Sequence, residues 1–190
     1  MGITENAFFG LLAAVGAGRL IELGISRRNQ RHMAERGAHL VRDMSFVWMV
    51  LWHGGVLAGA ACEVAFLHRP FVPALAAPML VIFVASNLLR WWVMQTLAVQ
   101  WNVQVMNSGA LGVVTAGPYR WIRHPNYVAV FLEVTSLPLI HTAWITSLAA
   151  AISTVLILTR RVAVEEKVLL ADPAYAAAMG SKPRFIPGVF

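Results

Sequence analysis

One stretch of the chain constrains the fold more than any other. Residues 124–159 carry a single formal charge, Glu133. As one helix this stretch would be about 54 Å long, whereas the apolar core of a bilayer is about 30 Å thick. The chain therefore has to fold back, and Pro138 with the polar pair 141–142 marks the place. We predict a hairpin of two short helices, residues 126–140 and 143–159.

The composition agrees with a membrane protein. The chain is 58% hydrophobic and 13% charged, whereas soluble domains average roughly 45–50% apolar and about 25% charged residues. A soluble globule and a disordered chain are both excluded, and a single cysteine, Cys62, excludes a disulfide scaffold. Arg19 and Glu22 can pair on one face of the first apolar stretch. Three further spans are predicted, over residues 7–25, 44–67 and 70–89.

The loop charges predict the orientation. Arginine and lysine are concentrated in the first loop (26–43), the third loop and the tail, thirteen in all, against Arg69 alone in the second loop. The positive-inside rule then places the N-terminus outside and the C-terminus in the cytoplasm. The predicted fold is an all-α polytopic membrane protein with five transmembrane helices and a cytoplasmic C-terminal helical lid. We expect residues 1–190 to form a single domain, and the excess of arginine over lysine favours a bacterial protein of the inner membrane.

A dense polar motif, GPYRWIRHPNY, occupies residues 117–127. Gly117-Pro118 predicts a turn, and Pro125 suits the first turn of the following helix. The backbone N–H groups at this helix start are expected to point back toward Arg120, Arg123 and His124, which makes an anion site. The same residues could equally be a positive anchor at the membrane edge.

A second polar segment, residues 160–175, continues the last span. Arg161 and Glu165 are four apart and can pair, which leaves Glu166 on another face, free for an external partner. The other interpretation is a solvated amphipathic helix. The tail is expected to dock, because Phe185, Ile186 and Phe190 are apolar.

Together these motifs identify a resemblance. GPYR-x-x-RHP-x-Y before a hairpin of spans, then Glu165-Glu166 and a final RFIP, resembles the isoprenylcysteine carboxyl methyltransferase family of integral membrane methyltransferases. The N-terminal half resembles a bacterial branch of that family through RLIEL and the arginine-rich first loop. That branch is often linked with type III polyketide synthases and methylates alkylpyrones or phenolic lipids. The eukaryotic members have a small residue soon after the RHP-x-Y tyrosine, where this chain reads VAVFLEV, so prenylcysteine is a doubtful substrate.

The resemblance implies that S-adenosylmethionine binds without a Rossmann domain, within residues 101–190. Glu165 or Glu166 would balance the cofactor's ammonium group, and Tyr175 and Arg184 would close the lid. The other cofactor contacts that it implies are Gly117, Tyr119, His124, Pro125 and Tyr127.

The methyl acceptor decides the remaining chemistry. A carboxylate needs an arginine to orient it, with Arg123 preferred over Arg120. A phenol needs a base such as Glu166, and an acidic enol lies between the two. Glu133 at membrane depth is either neutral and hydrogen-bonded or a group of the acceptor pocket. A long-chain alkylpyrone is the best single candidate for the acceptor.

Other functions leave more of the sequence unexplained. An NADPH-dependent membrane lipid or sterol reductase shares RHP-x-Y, but typically has a Gly-Glu or Gly-Asp pair after it, which is absent after Tyr127. A non-enzymatic function would not explain why two polar segments are expected on the same side of the membrane. The histidines lack metal-ligand spacing, and Glu63 and Arg90 are expected to be anchors at the membrane boundary. The predicted partners are the bilayer, a lipophilic substrate and a lipid-producing polyketide synthase, with no nucleic acid and no metal.

Overall fold

The computed structural model describes residues 2–41, 45–107 and 111–187. The protein is mostly helical, as predicted. Its helices in chain order are α1 (Ile3–Glu35), α2 (Ser45–Leu67), α3 (Pro73–Leu97), α4 (Pro125–Leu139), α5 (Trp144–Leu169) and α6 (Pro173–Met179).

Four of these helices, α1, α2, α3 and α5, are long and apolar enough to cross a membrane. The hairpin between α4 and α5 turns at residues 140–143, where the sequence places it. Helix α4 has 15 residues and is therefore about 22 Å long, short of the bilayer core. It packs between α3 and α5, and a fifth span stays a prediction.

The first loop differs from the prediction. Helix α1 runs on to Glu35, so most of the arginine-rich segment is helical rather than a loop. Its inner face contacts the chain that follows α3, because Asn29 Nδ2 donates to the Trp101 carbonyl (2.7 Å) and the Val103 N–H donates to Ser26 Oγ (3.0 Å). Two short strands, His39–Leu40 and Met106–Asn107, pair antiparallel beside it. Three positions of the predictions lie outside the described residues: Arg42 of the predicted first loop, Met44 at the start of the predicted span 44–67, and Phe190 of the tail.

Four charged side chains form an ion cluster inside the bundle: Arg19 and Glu22 of α1, Arg90 of α3 and Glu133 of α4. Arg19 Nη1 lies 2.7 Å from Glu22 Oε2, and Arg90 Nη2 lies 2.8 Å from the same oxygen. Glu133 completes the cluster at 3.5 Å from Arg19 Nη2 and 3.8 Å from Arg90 Nη1. The predicted pair of Arg19 and Glu22 is confirmed. Arg90 is not a boundary anchor, because it is buried and its partners lie on two other helices.

Glu63 is not a boundary anchor either, since it is buried and caps a helix. Its carboxylate accepts the backbone N–H groups of Ile145 (3.1 Å) and Thr146 (2.7 Å) at the start of α5. Arg69 donates to the same carboxylate at 3.0 Å. A carboxylate at a helix N-terminus satisfies otherwise unpaired N–H groups. Glu63 thus ties α2 to the start of α5.

We expect Glu63→Ala to destabilise the protein by about 2 kcal/mol, because it removes a helix cap and leaves buried N–H groups unpaired. Thermal unfolding in detergent measures this as a lower Tm. The control is Glu35→Ala, an exposed carboxylate on α1. Equal Tm values for the two variants would contradict the capping role.

Candidate active site

The tail is bound along the polar motif by two backbone hydrogen bonds. The Arg123 N–H donates to the Pro183 carbonyl (2.9 Å), and the His124 N–H donates to the Arg184 carbonyl (3.0 Å). Lys182 Nζ adds a bond to the Tyr119 carbonyl at 2.7 Å. The resemblance implies that the motif before α4 and the chain beyond α5 both contact the cofactor. The structure brings these two segments into contact with each other.

Glu166 is the centre of this contact. His124 Nε2 lies 2.9 Å from its Oε1. Arg184 binds both carboxylate oxygens, with Nη2 at 2.8 Å from Oε2 and Nε at 3.1 Å from each oxygen. Arg123 Nη1 lies 3.3 Å from Oε1. The prediction that Glu166 is free for an external partner is therefore wrong, because the fold brings three cationic or hydrogen-bonding side chains onto it.

The neighbouring carboxylate, Glu165, faces a different set of groups. Tyr127 donates its hydroxyl to Glu165, and Arg161 Nε donates to the same hydroxyl oxygen at 3.2 Å. Arg161 also binds the Val103 carbonyl at 2.6 Å. These contacts join α4 and α5 to the segment after α3.

The predicted docking of the tail holds in part. Phe185 packs against Tyr127, Leu158 and Val162, and its ring centroid lies 6.0 Å from that of His124. The prediction that Ile186 docks is wrong, since this residue is 56% exposed. Phe185 is thus the apolar contact of this part of the tail with α4 and α5.

A cavity of about 170 Å³ runs from this polar region into the helix bundle. At its polar end lie Tyr119, Arg123, His124, Glu165 and Tyr175. At its other end lie apolar side chains of α2, α3 and α4, together with two polar ones; this set comprises Met49, His53, Arg90, Val93 and Val130. The cavity is smaller than the roughly 300–1,000 Å³ of most small-molecule sites.

Several polar atoms of the cavity-lining side chains are buried without a hydrogen-bond partner among the described residues. They are Trp101 Nε1, Arg123 Nε, Asn126 Oδ1 and His53 Nε2, with Arg90 Nη1 close to Glu133 but not hydrogen-bonded. Buried polar groups are normally paired. Such unsatisfied atoms around one cavity indicate a site for a ligand.

Two tyrosines in the wall stay protonated. Burial, and then the nearby charge of Glu165, raises the pKa of the Tyr119 hydroxyl well above its ordinary value. The same two causes raise the pKa of Tyr175 to about 12. Both hydroxyls are therefore hydrogen-bond donors at neutral pH.

The remaining predicted site residues lie outside the cavity wall. Arg120 is exposed and stacks over the Trp121 ring at 5.9 Å. Gly117 has a φ of 56° and would clash with Thr96 if it carried a Cβ, so it serves the turn. Glu133 belongs to the ion cluster. Pro125, Glu166 and Arg184 also do not line the cavity.

Two of the N–H groups predicted to form an anion site at the start of α4 are already paired. The Tyr127 and Val128 N–H groups both donate to the His124 carbonyl, at 3.1 and 3.4 Å. His124 itself has ψ of 55°, short of a fully extended conformation. In this conformation the His124 carbonyl accepts both hydrogen bonds from the first turn of α4.

The sequence argument missed Arg90 and His53 as cavity residues. His53 Nδ1 lies 2.8 Å from the Met49 carbonyl. A neutral imidazole bonded in this way carries its proton on Nδ1, which leaves Nε2 as an acceptor. The available signal was that both are polar side chains in apolar stretches, and such groups usually face a cavity or a partner.

We expect Glu166→Gln to loosen the tail, because it removes the charge that holds Arg184 and Arg123. Hydrogen exchange followed by mass spectrometry should show faster exchange of the Arg123 and His124 amides. Lys167→Gln, on the exposed face of the same helix, is the matched control and should leave exchange unchanged. Unchanged exchange in Glu166→Gln would show that the ion pairs do not hold the tail.

Comparison with known proteins agrees with this geometry. The family model of the isoprenylcysteine carboxyl methyltransferase (ICMT) family matches residues 79–171. The uncharacterized protein YpbQ of Bacillus subtilis (strain 168) is 26% identical over 165 residues, which cover 85% of this chain and 96% of that protein. The matched segment contains the polar motif, all of α4 and α5, and most of α3. The resemblance seen in the sequence is confirmed: over residues 79–171 the chain is similar to this family of membrane methyltransferases.

Proposed function

We propose that the protein transfers a methyl group from S-adenosylmethionine to an oxygen of a lipophilic acceptor at the cytoplasmic face of the membrane. The observation that carries this is the cavity itself. One part of its wall is formed by polar side chains of the motif, α5 and α6, and the other by mostly apolar side chains of the long helices α2 and α3 and of α4. A soluble donor and a lipid acceptor can meet only in such a cavity.

The polar end fits the cofactor chemically. Glu165 is the only acidic residue among the described residues that line the cavity, so we assign it, rather than the fully paired Glu166, to the ammonium group. The unpaired Trp101 Nε1, Arg123 Nε and Asn126 Oδ1 supply donors and an acceptor for a carboxylate and a nucleoside. Bound S-adenosylmethionine would supply an electrophilic methyl group. The cavity is smaller than common ligand sites. The proposal therefore requires it to enlarge when S-adenosylmethionine binds.

The apolar end fits the acceptor. Arg90 lines the cavity, and Glu22 holds its Nε and Nη2 at 2.8–3.1 Å while its Nη1 has no hydrogen-bond partner among the described residues. Beside it His53 offers Nε2 as an acceptor. We assign Arg90 to bind the acceptor oxygen as it gains negative charge and His53 to accept its proton. Stabilising charge on the attacking oxygen and aligning it with the methyl group are the main tasks of such a site.

This pairing of an arginine with a proton acceptor favours an acidic hydroxyl over a carboxylate. A carboxylate brings no proton for His53 to accept at neutral pH. An enol such as that of a 4-hydroxypyrone needs both residues. A long-chain alkylpyrone therefore remains our preferred acceptor, supplied by a lipid-producing polyketide synthase.

The orientation follows from the same proposal. Helix α4 acts as a fifth, short membrane helix, with the N-terminus outside and the tail in the cytoplasm. The arginine-rich end of α1, the polar motif and the tail then share the cytoplasmic side, in agreement with the positive-inside rule. S-adenosylmethionine, a cytoplasmic metabolite, reaches the polar end from that side.

We expect Arg123→Ala to lower turnover at least 100-fold while the protein stays folded, because it removes a cation that lines the cavity. Arg120→Ala is the matched control, since Arg120 is exposed and does not line the cavity. Methyl transfer from labelled S-adenosylmethionine and circular dichroism measure the two quantities. Full activity in Arg123→Ala would refute the assignment.

We expect purified wild-type protein to methylate an alkylpyrone with a higher kcat/KM than alkylresorcinols, prenylcysteines or phosphatidylethanolamine. His53→Phe should lower kcat/KM for the hydroxyl acceptors about 100-fold, the usual scale of general base catalysis. It should change activity on a carboxylate acceptor little. Preference for a carboxylate in the wild type would overturn the assignment of His53 and the enol class.

A further inference from the structure

A second cavity lies at the opposite end of the bundle from the candidate active site. We propose that it binds the hydroxyl end of a neutral long-chain lipid, with His141 as the hydrogen-bonding residue. The site is separate from the proposed methyl transfer and does not depend on it. The first cavity reaches Val130 of α4 and the second includes Ile140, ten residues or about 15 Å further along.

The cavity has a volume of about 420 Å³, within the usual range of small-molecule sites. It is formed by the first turns of α1, the start of α3 and the turn between α4 and α5. Its wall includes the exposed side chains of Phe71 and Leu80. In a membrane the cavity is thus open toward the lipid.

His141 is the unusual group in this wall. It is 2% exposed, and neither ring nitrogen has a hydrogen-bond partner among the described residues. The rings of Phe8 and Phe71 flank it, with centroids 5.4 and 5.7 Å away. A neutral imidazole has one donor and one acceptor, and burying both without partners is costly. A ligand in the cavity would satisfy them.

The other lining residues define the chemistry of that ligand. The wall contains no Asp, Glu, Lys or Arg among the described residues, and besides His141 its polar side chain is Thr4. A phosphate or carboxylate would therefore be buried without a counter-charge, which is unfavourable. An alkane would leave His141 unpaired. A neutral hydroxyl can both donate to and accept from the imidazole, and its apolar chain fits the remaining wall.

The site is also held in shape before any ligand enters. Thr142 Oγ1 donates to the Pro70 carbonyl at 2.6 Å, which fixes the turn against the loop between α2 and α3. Glu63 binds Arg69 of that loop and Thr146 of α5. These contacts hold the turn that carries His141 against the loop that carries Phe71. Both residues are therefore in place before a ligand binds. Preformed sites lose less entropy on binding.

The test uses the full chain in phosphatidylcholine nanodiscs without S-adenosylmethionine. The probe is 1-hexadecanol that carries a photoreactive diazirine, and its comparison is the matching diazirine alkane without the hydroxyl. We expect the alcohol to label residues of this cavity and to shift the ¹⁵N resonances of His141, and the alkane to do neither at the same concentration. Diacylglycerol and a long-chain alkylphenol are added as competitors, to show whether a membrane lipid or an acceptor-like lipid is the better ligand.

Two variants make the test specific. His141→Phe keeps an aromatic ring but no nitrogen and should weaken alcohol binding about tenfold, the scale of one lost hydrogen bond. Ala77→Phe fills the cavity from an exposed position and should block labelling, whereas Ala74→Phe, exposed on the same helix but outside the cavity, should not. Equal labelling by alcohol and alkane, or labelling unchanged in both Ala77→Phe and His141→Phe, would overturn the proposal. So would failure of both competitors to reduce the labelling.

Discussion

The ion cluster of Arg19, Glu22, Arg90 and Glu133 is the constraint on which the rest of the bundle depends. Charged side chains at membrane depth are costly unless they are paired. Arg90 lies about 10 Å before the end of α3 and Glu133 about 12 Å after the start of α4, so both meet α1 at one level. The position of α1, α3 and α4 relative to one another is fixed by this need for partners.

The cluster also prepares the cavity. Glu22 holds two nitrogens of Arg90, and the third, Nη1, lies 3.8 Å from Glu133 Oε2. Arg90 lines the cavity together with His53 and Val130. An arginine held in this way is already oriented when an acceptor arrives, so little reorganisation is needed as charge develops. The charges that stabilise the membrane part of the fold are thus close to those that we assign to the chemistry.

At the polar end Glu166 has the corresponding structural task. Its carboxylate binds the side chains of His124, Arg123 and Arg184. These contacts join α5 to the motif before α4 and to the tail. The pKa of Arg184 is raised by its hydrogen bonds to Glu166, as expected for a guanidinium that binds a carboxylate through two nitrogens. The adjacent Glu165 stays available to the cavity because the helix turns it onto a different face.

The amino-acid sequence alone determined the membrane class, the hairpin at residues 140–143 and the polar motif before α4. These follow from local physics: apolar length, proline at a helix start and the distribution of charge. It also indicated the convergence of that motif with the tail through the family resemblance. Only the tertiary structure decided which of two adjacent carboxylates faces the cavity, that Arg90 and His53 face it too, and that Arg120 does not. Those outcomes depend on contacts between residues about 70 positions apart, such as Glu22 with Arg90, which no local pattern encodes.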